Sequence, residues 1–156
     1  MAVDDTAMMR RALELAQIAG ARGDVPVGAV VTIDGEIAAV GFNQKEANHD
    51  PTAHAEIVAL RQAAARQKGW RLANATLYVT KEPCVMCAGA CVGARIARLV
   101  YACSDPKGGG AGSVFDVTAS ALLNHRITVE KGILQDEASA MLKAFFQAKR
   151  EDGLEL

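Results

Sequence analysis

The chain has 156 residues, 51% hydrophobic and 22% charged, which suits one globular domain over 1–156 with a buried core. A net charge of −1 excludes a general nucleic-acid coating protein, which would be strongly basic, but leaves room for a local basic rim. No apolar run approaches the roughly 20 residues that span a bilayer. The opening MAVDDTAMMRR lacks the apolar segment of a signal peptide, so a soluble, cytoplasmic protein with no membrane partner is expected.

In Asp5–Ala21, Met8, Ala12, Leu15, Ile18 and Ala19 recur at helical spacing, predicting an amphipathic helix closed near Gly20–Gly23. PVGAVVTI and EIAAVGFN then flank Asp34-Gly35, the dipeptide of a type I′ hairpin turn. Both strands are nearly continuous in apolar residues, as expected of a sheet covered on both faces. Asp50 reads as an N-cap and Pro51 as the first position of a helix that runs through HAEIVALRQAAARQ. A strand at Thr76–Thr80, a helix carrying CVMCAGACVGAR and a strand at Ala97–Tyr101 follow. Then come a Gly-rich loop at Ser104–Ser113, a short helix at Val114–Leu123 and a strand at Arg126–Val129. The last helix places Leu134, Ala138, Met141, Leu142 and Phe145 on one face, and 151–156 are expected to form a loose tail.

Strands alternating with helices after a hairpin imply an α/β fold, a mixed sheet of five strands between helices. A helix between the last two strands implies a crossover, and a crossover makes them parallel.

The chemistry sits in two short segments, His54-Ala55-Glu56 and Pro83-Cys84-Val85-Met86-Cys87, each at the expected start of a helix. Cys84 and Cys87, three apart, share a helix face near its positive end, which favours the thiolates a metal requires. With His54 they form a nitrogen–sulfur set suited to zinc, and three protein ligands leave the fourth tetrahedral position for water. Cys91 lies seven residues beyond Cys84, about 10 Å along the helix, whereas two sulfurs on one zinc stand no more than about 4.6 Å apart. Cys91 and Cys103 therefore read as small buried hydrophobes, and the site as open and catalytic. Glu56 is placed to take a proton from water without ligating the metal and to hand it on, the cycle of a hydrolytic deaminase. A Cys-x-x-Cys alone would also fit a redox pair, but such a pair does not need the upstream His-Ala-Glu.

The pattern H-A-E, then P-C-V-M-C beginning one residue before Cys84, resembles the H-x-E…P-C-x-x-C signature of zinc nucleoside and nucleobase deaminases. PVGAV, HDPTAHAEI, ATLYVT, EPCVMCAGA, the Asp105–Ser113 loop and Asn124-His125-Arg126 extend the likeness over nearly the whole chain. They resemble the bacterial tRNA-specific adenosine deaminases of the cytidine/deoxycytidylate deaminase superfamily. The resemblance implies a three-layer α/β/α fold, one zinc per chain, a homodimer, and conversion of the wobble adenosine of an arginine tRNA to inosine. Hydroxide would attack C6, with Glu56 protonating N1. Asn43 would hydrogen-bond the flipped base, Asp105 and Lys107 would face the RNA of the anticodon stem-loop, and Phe145 would line the site for flanking nucleotides. Parallel final strands agree, since enzymes acting on free cytidine typically make them antiparallel. Lys81, where the family often has an apolar residue or Thr, and the acidic end of the chain depart from the pattern. The alternatives are a deaminase of free guanine or cytosine, and a zinc-stabilised binding module without chemistry.

Overall fold

Alternate residues of the inner strands face two different helical layers, which is the period-2 geometry of a sheet buried on both sides. In the computed structural model, which describes residues 4–153, the order is α1 (Asp5–Ala21), β1 (Gly28–Ile33), β2 (Glu36–Phe42), α2 (Lys45–Asn48) and α3 (Ala55–Gln67). It continues with β3 (Ala75–Lys81), α4 (Val85–Ala94), β4 (Arg98–Cys103), β5 (Thr128–Lys131) and α5 (Gln135–Glu151). The sheet runs β2-β1-β3-β4-β5. On one face Ala29, Val31, Leu77, Val79, Leu99 and Tyr101 pack with Ala59 and Leu60 of α3 and Cys91 and Val92 of α4. On the other, Val30, Tyr78, Val100 and Ala102 pack with Met9, Ala12 and Leu13 of α1 and Ala138 of α5. These are the three layers, α/β/α, of the cytidine-deaminase-like fold.

The hairpin turn is as expected. Asp34 and Gly35 both take positive φ, and Ile33 faces Glu36 across them. The apolar run of β1 is buried along its length, whereas β2 is the edge strand and leaves Ile37 exposed. β1 pairs antiparallel with β2 and β3; β3–β4 and β4–β5 are parallel.

Two expected helix features are corrected. The helix of His54 does not begin at Asp50-Pro51. Asp50 instead closes a local turn, accepting from the Thr52 backbone N–H at 2.8 Å and from its hydroxyl at 2.7 Å, and α3 starts only at Ala55. Val114–Leu123 is not helical. Val114, Val117 and Thr118 are β-branched, and Asp116 and Ser120 draw nearby backbone N–H groups into turns. The segment lies against the loop before it, with a bridge between Ala111 and Asp116, and Ile127 N–H donates to the Thr118 carbonyl. The last strands are nevertheless parallel, because a long irregular crossover returns the chain to the same edge as well as a helix does. Of the expected tail, Glu151 closes α5 and Asp152 caps it, while 154–156 lie outside the described residues.

Candidate active site

Two helices begin at the same place. His54 is the N-cap residue of α3 and Cys84 that of α4, and Cys87 sits in the first turn of α4. The ligand-capable atoms of these three side chains lie within 4.8 Å of one another, and the cluster can hold a metal ion. His54 Nδ1 stands 3.7 Å from Cys84 Sγ and 3.5 Å from Cys87 Sγ. A nitrogen and a sulfur on one tetrahedral ion, at about 2.05 and about 2.3 Å from it, are about 3.6 Å apart, so both nitrogen–sulfur edges already have the length such a site requires. Cys91, on the buried face of α4, is fully buried and lies outside this cluster.

Charge is shared across the triangle. Hydrogen bonding from Cys87 and then from His54 holds the Cys84 thiol down to about 3 against the opposing effect of burial. Cys87, as the donor to Cys84 and itself buried, is pushed up. His54 is raised, first by its hydrogen bond to Cys84. The surroundings thus favour the thiolate at Cys84 over Cys87, and an ion in contact with both sulfurs would deprotonate the second outright. The positive ends of two helices favour both charges.

Glu56, in the first turn of α3, is only 4% exposed and lines the same pocket as His54 and Cys84. Burial raises its carboxyl pKa above the usual carboxylate range. Asn43 follows β2 and is buried at the pocket wall. Its Oδ1 accepts from Ala55 N–H at 2.8 Å, satisfying one of the free donors at the start of α3 and fixing the turn that carries Glu56. With the oxygen so engaged, the amide nitrogen is the group Asn43 has to offer a ligand.

Asp105 also lines the pocket. Its Oδ1 accepts from the backbone N–H groups of Lys107 and Gly108, and its Oδ2 pairs with Lys81 at 3.3 Å. Burial opposes the charge, but these partners hold the carboxyl below its ordinary value. Lys107 itself is exposed and is not a lining residue. Nor is Phe145: the aromatic ring at the pocket is Phe146, with Phe145 edge-to-face against it, ring centroids 5.5 Å apart. Sequence reasoning missed Phe146, Lys45, Lys81 and Glu82, all of which line the pocket. For Glu82 the signal was its place directly before Pro83-Cys84; for Lys81 it was the departure from the expected apolar residue.

The fold and this site together define a deaminase. A family model for MafB19-like deaminases matches residues 3–150. The chain is 50% identical over 149 residues to a tRNA-specific adenosine deaminase of Haemophilus influenzae, covering 95% of this chain and 86% of that protein. It is 42% identical over 147 residues to the protein of the same name from Bacillus subtilis, covering 94% and 91%. A solved tRNA:A34 deaminase, studied for A-to-I editing at the wobble position of transfer RNA, superposes with a TM-score of 0.85 at 42% identity, covering 88% of this chain and 99% of that one. The guanine deaminase of Nitrosomonas europaea superposes with a TM-score of 0.77 at 29% identity, covering 93% and 86%. The chain belongs to the family of tRNA-specific adenosine deaminases.

Proposed function

We propose that the protein converts adenosine to inosine in a tRNA, at the wobble position of the anticodon, by hydrolysis. The observation that carries this reading is the buried Glu56 in one pocket with His54 and Cys84, two members of the three-residue cluster that can hold a metal ion. One water is consumed and one ammonia released.

The proposed metal is zinc, one per chain, because two sulfurs and an imidazole nitrogen suit it, with both nitrogen–sulfur separations at the tetrahedral value. When bound, zinc supplies the Lewis acidity that makes a water nucleophilic near neutral pH. Glu56 carries the protons. It takes one from the water, gives it to N1 of the adenine as C6 is attacked, and passes another to the departing amino group. Asn43 offers its amide N–H to the base while its oxygen keeps α3 in place. An adenine reaches so recessed a pocket only when it is turned out of its stack, as it can be in an anticodon loop.

Around the mouth, Lys45 and Lys81 supply positive charge for phosphates, with Lys107 exposed on the loop beside Asp105. The Phe145–Phe146 pair offers aromatic faces to flanking bases. The free-nucleobase reading is not favoured, since the guanine deaminase is 29% identical against 50% and 42% for the two tRNA-specific relatives. A second copy of the chain is the partner we propose for Val85 and Met86, exposed on α4, and for Val114 and Phe115, exposed where their N–H groups donate to Gly109, which bridges to Cys84. Four free thiols, two of them in the ligand set, fit a reducing compartment such as the cytoplasm.

Incubation with an anticodon stem-loop bearing A at the wobble position, beside free guanine, cytosine and adenosine, tests this reading. Inosine in the stem-loop is expected. Ammonia released only from a free base would overturn it.

A further inference from the structure

Glu82 holds the most heavily hydrogen-bonded carboxylate of the described residues, and nothing in the proton chemistry uses it. It lies between the end of β3 and Cys84 and is 2% exposed. Its Oε1 accepts from Asp105 N–H at 3.0 Å, and its Oε2 from Ala111 N–H at 3.0 Å and Ser113 N–H at 3.1 Å. The Ser113 hydroxyl also donates to it. All four donors belong to the Gly-rich loop, and no Lys or Arg pairs with Glu82 among the described residues.

The loop is shaped to this carboxylate. A Cβ on Gly109 would overlap the Glu82 carboxyl group, so only glycine lets the backbone come so close. Gly110 N–H donates to the Pro83 carbonyl at 2.7 Å, and Gly109 bridges to Cys84. One residue, two positions from a metal ligand, thus gathers the segment that carries Asp105 and Lys107. Four converging donors demand a group that only accepts. A carboxylate meets that demand, whereas the isosteric amide brings an NH₂ against N–H groups.

We propose that Glu82 is a positioning residue for the nucleic-acid substrate: it fixes the Gly-rich loop, and with it Asp105, at the mouth of the pocket. It acts through the loop, not on the base or the metal. The proposal rests on the tRNA reading above, and one arm of its test does not.

The test compares wild type with Glu82→Gln, Glu82→Asp and the milder Ser113→Ala, which removes one donor and leaves the acceptor. On the stem-loop, Glu82→Gln is expected to raise KM by about fivefold or more, since a buried donor left facing another donor costs about that factor at the least. Its kcat and zinc content should stay near wild type. Ser113→Ala should shift KM the same way by less, and Glu82→Asp should recover part of the loss. In the second arm, hydrogen exchange at the Asp105, Ala111 and Ser113 amides should quicken in Glu82→Gln while α3 amides stay protected. An unchanged KM, or a fall in kcat or zinc with KM unmoved, would overturn the proposal. So would unchanged exchange, even if wild type proved inactive on the stem-loop. If Glu82→Gln fails to fold, Ser113→Ala decides on the same two readouts.

Discussion

Glu56, His54 and Cys84 line one pocket, with Cys87 buried beside them, but the carboxyl and the three ligand-capable residues do different work, so substitution separates them. Glu56→Ala removes a buried carboxyl that lies outside the ligand-capable cluster, and it should leave fold and metal content intact while lowering inosine formation by roughly a hundred- to ten-thousand-fold. A Glu56→Ala chain retaining near-normal activity would remove the proton carrier from the account. Cys87→Ser should instead lose the metal and lower the melting temperature, because ion binding is coupled to folding at such sites. His54, Cys84 and Cys87 were legible from sequence because their residue types are rare in combination and both segments stand at helix starts. Phe146 was not. Phe145 and Phe146 are both apolar and adjacent, and an apolar stripe does not settle which of two neighbours turns toward the pocket. What Glu82 holds was hidden for another reason, although its place before Pro83-Cys84 was a signal: its partners lie from 23 to 31 residues downstream, on a loop whose path no local pattern encodes.

At the scale of elements, one polar cluster ties the start of α1 to the sheet. Arg98 on β4 pairs with Asp5 at 2.5 Å and with Glu130 on β5 at 2.6 Å, and Tyr78 on β3 donates its hydroxyl to Asp5 at 2.7 Å. The hydrogen bond from Arg98, ahead of that from Tyr78 and against burial, holds Asp5 below its ordinary 3.8. Its stabilising effect is therefore present above that pH and is lost as pH falls through the lower folded value. Tyr78 is pushed the other way, to about 12, first by burial and then by Asp5. Its effect is intact below pH 10 and is lost as pH rises toward about 12. Urea midpoints across both limbs check this. Asp5→Asn should sit below wild type above pH 3.8 and converge with it on further acidification, and Tyr78→Phe should show a shallower alkaline limb than wild type, since Tyr101 and Cys103, also raised by burial, still contribute. Parallel curves at every pH would mean the cluster contributes nothing that titrates. Element types followed from apolar patterning where burial is strong, by helical spacing in α1 and by near-continuous apolar runs in β1 and β3, which are buried on both faces. They failed where side chains compete for the backbone, at Asp50 and along Val114–Leu123.

The whole molecule carries a charge of −1, so any grip on a polyanion has to be local. Lys81 is the clearest case: it lines the pocket and pairs with Asp105, offsetting a carboxylate that would otherwise repel phosphates. Lys81→Met should raise KM for the stem-loop and reduce the salt dependence of log KM by about one, with kcat little changed. An unchanged salt slope would show that Lys81 serves Asp105 alone. Zinc analysis and stem-loop deamination, run together on wild type and Glu56→Ala purified without chelators, test the central claim most directly. The account predicts about one zinc per chain in both proteins and inosine from wild type alone. Clearly less than one zinc per chain, or equal deamination by the two, would contradict it.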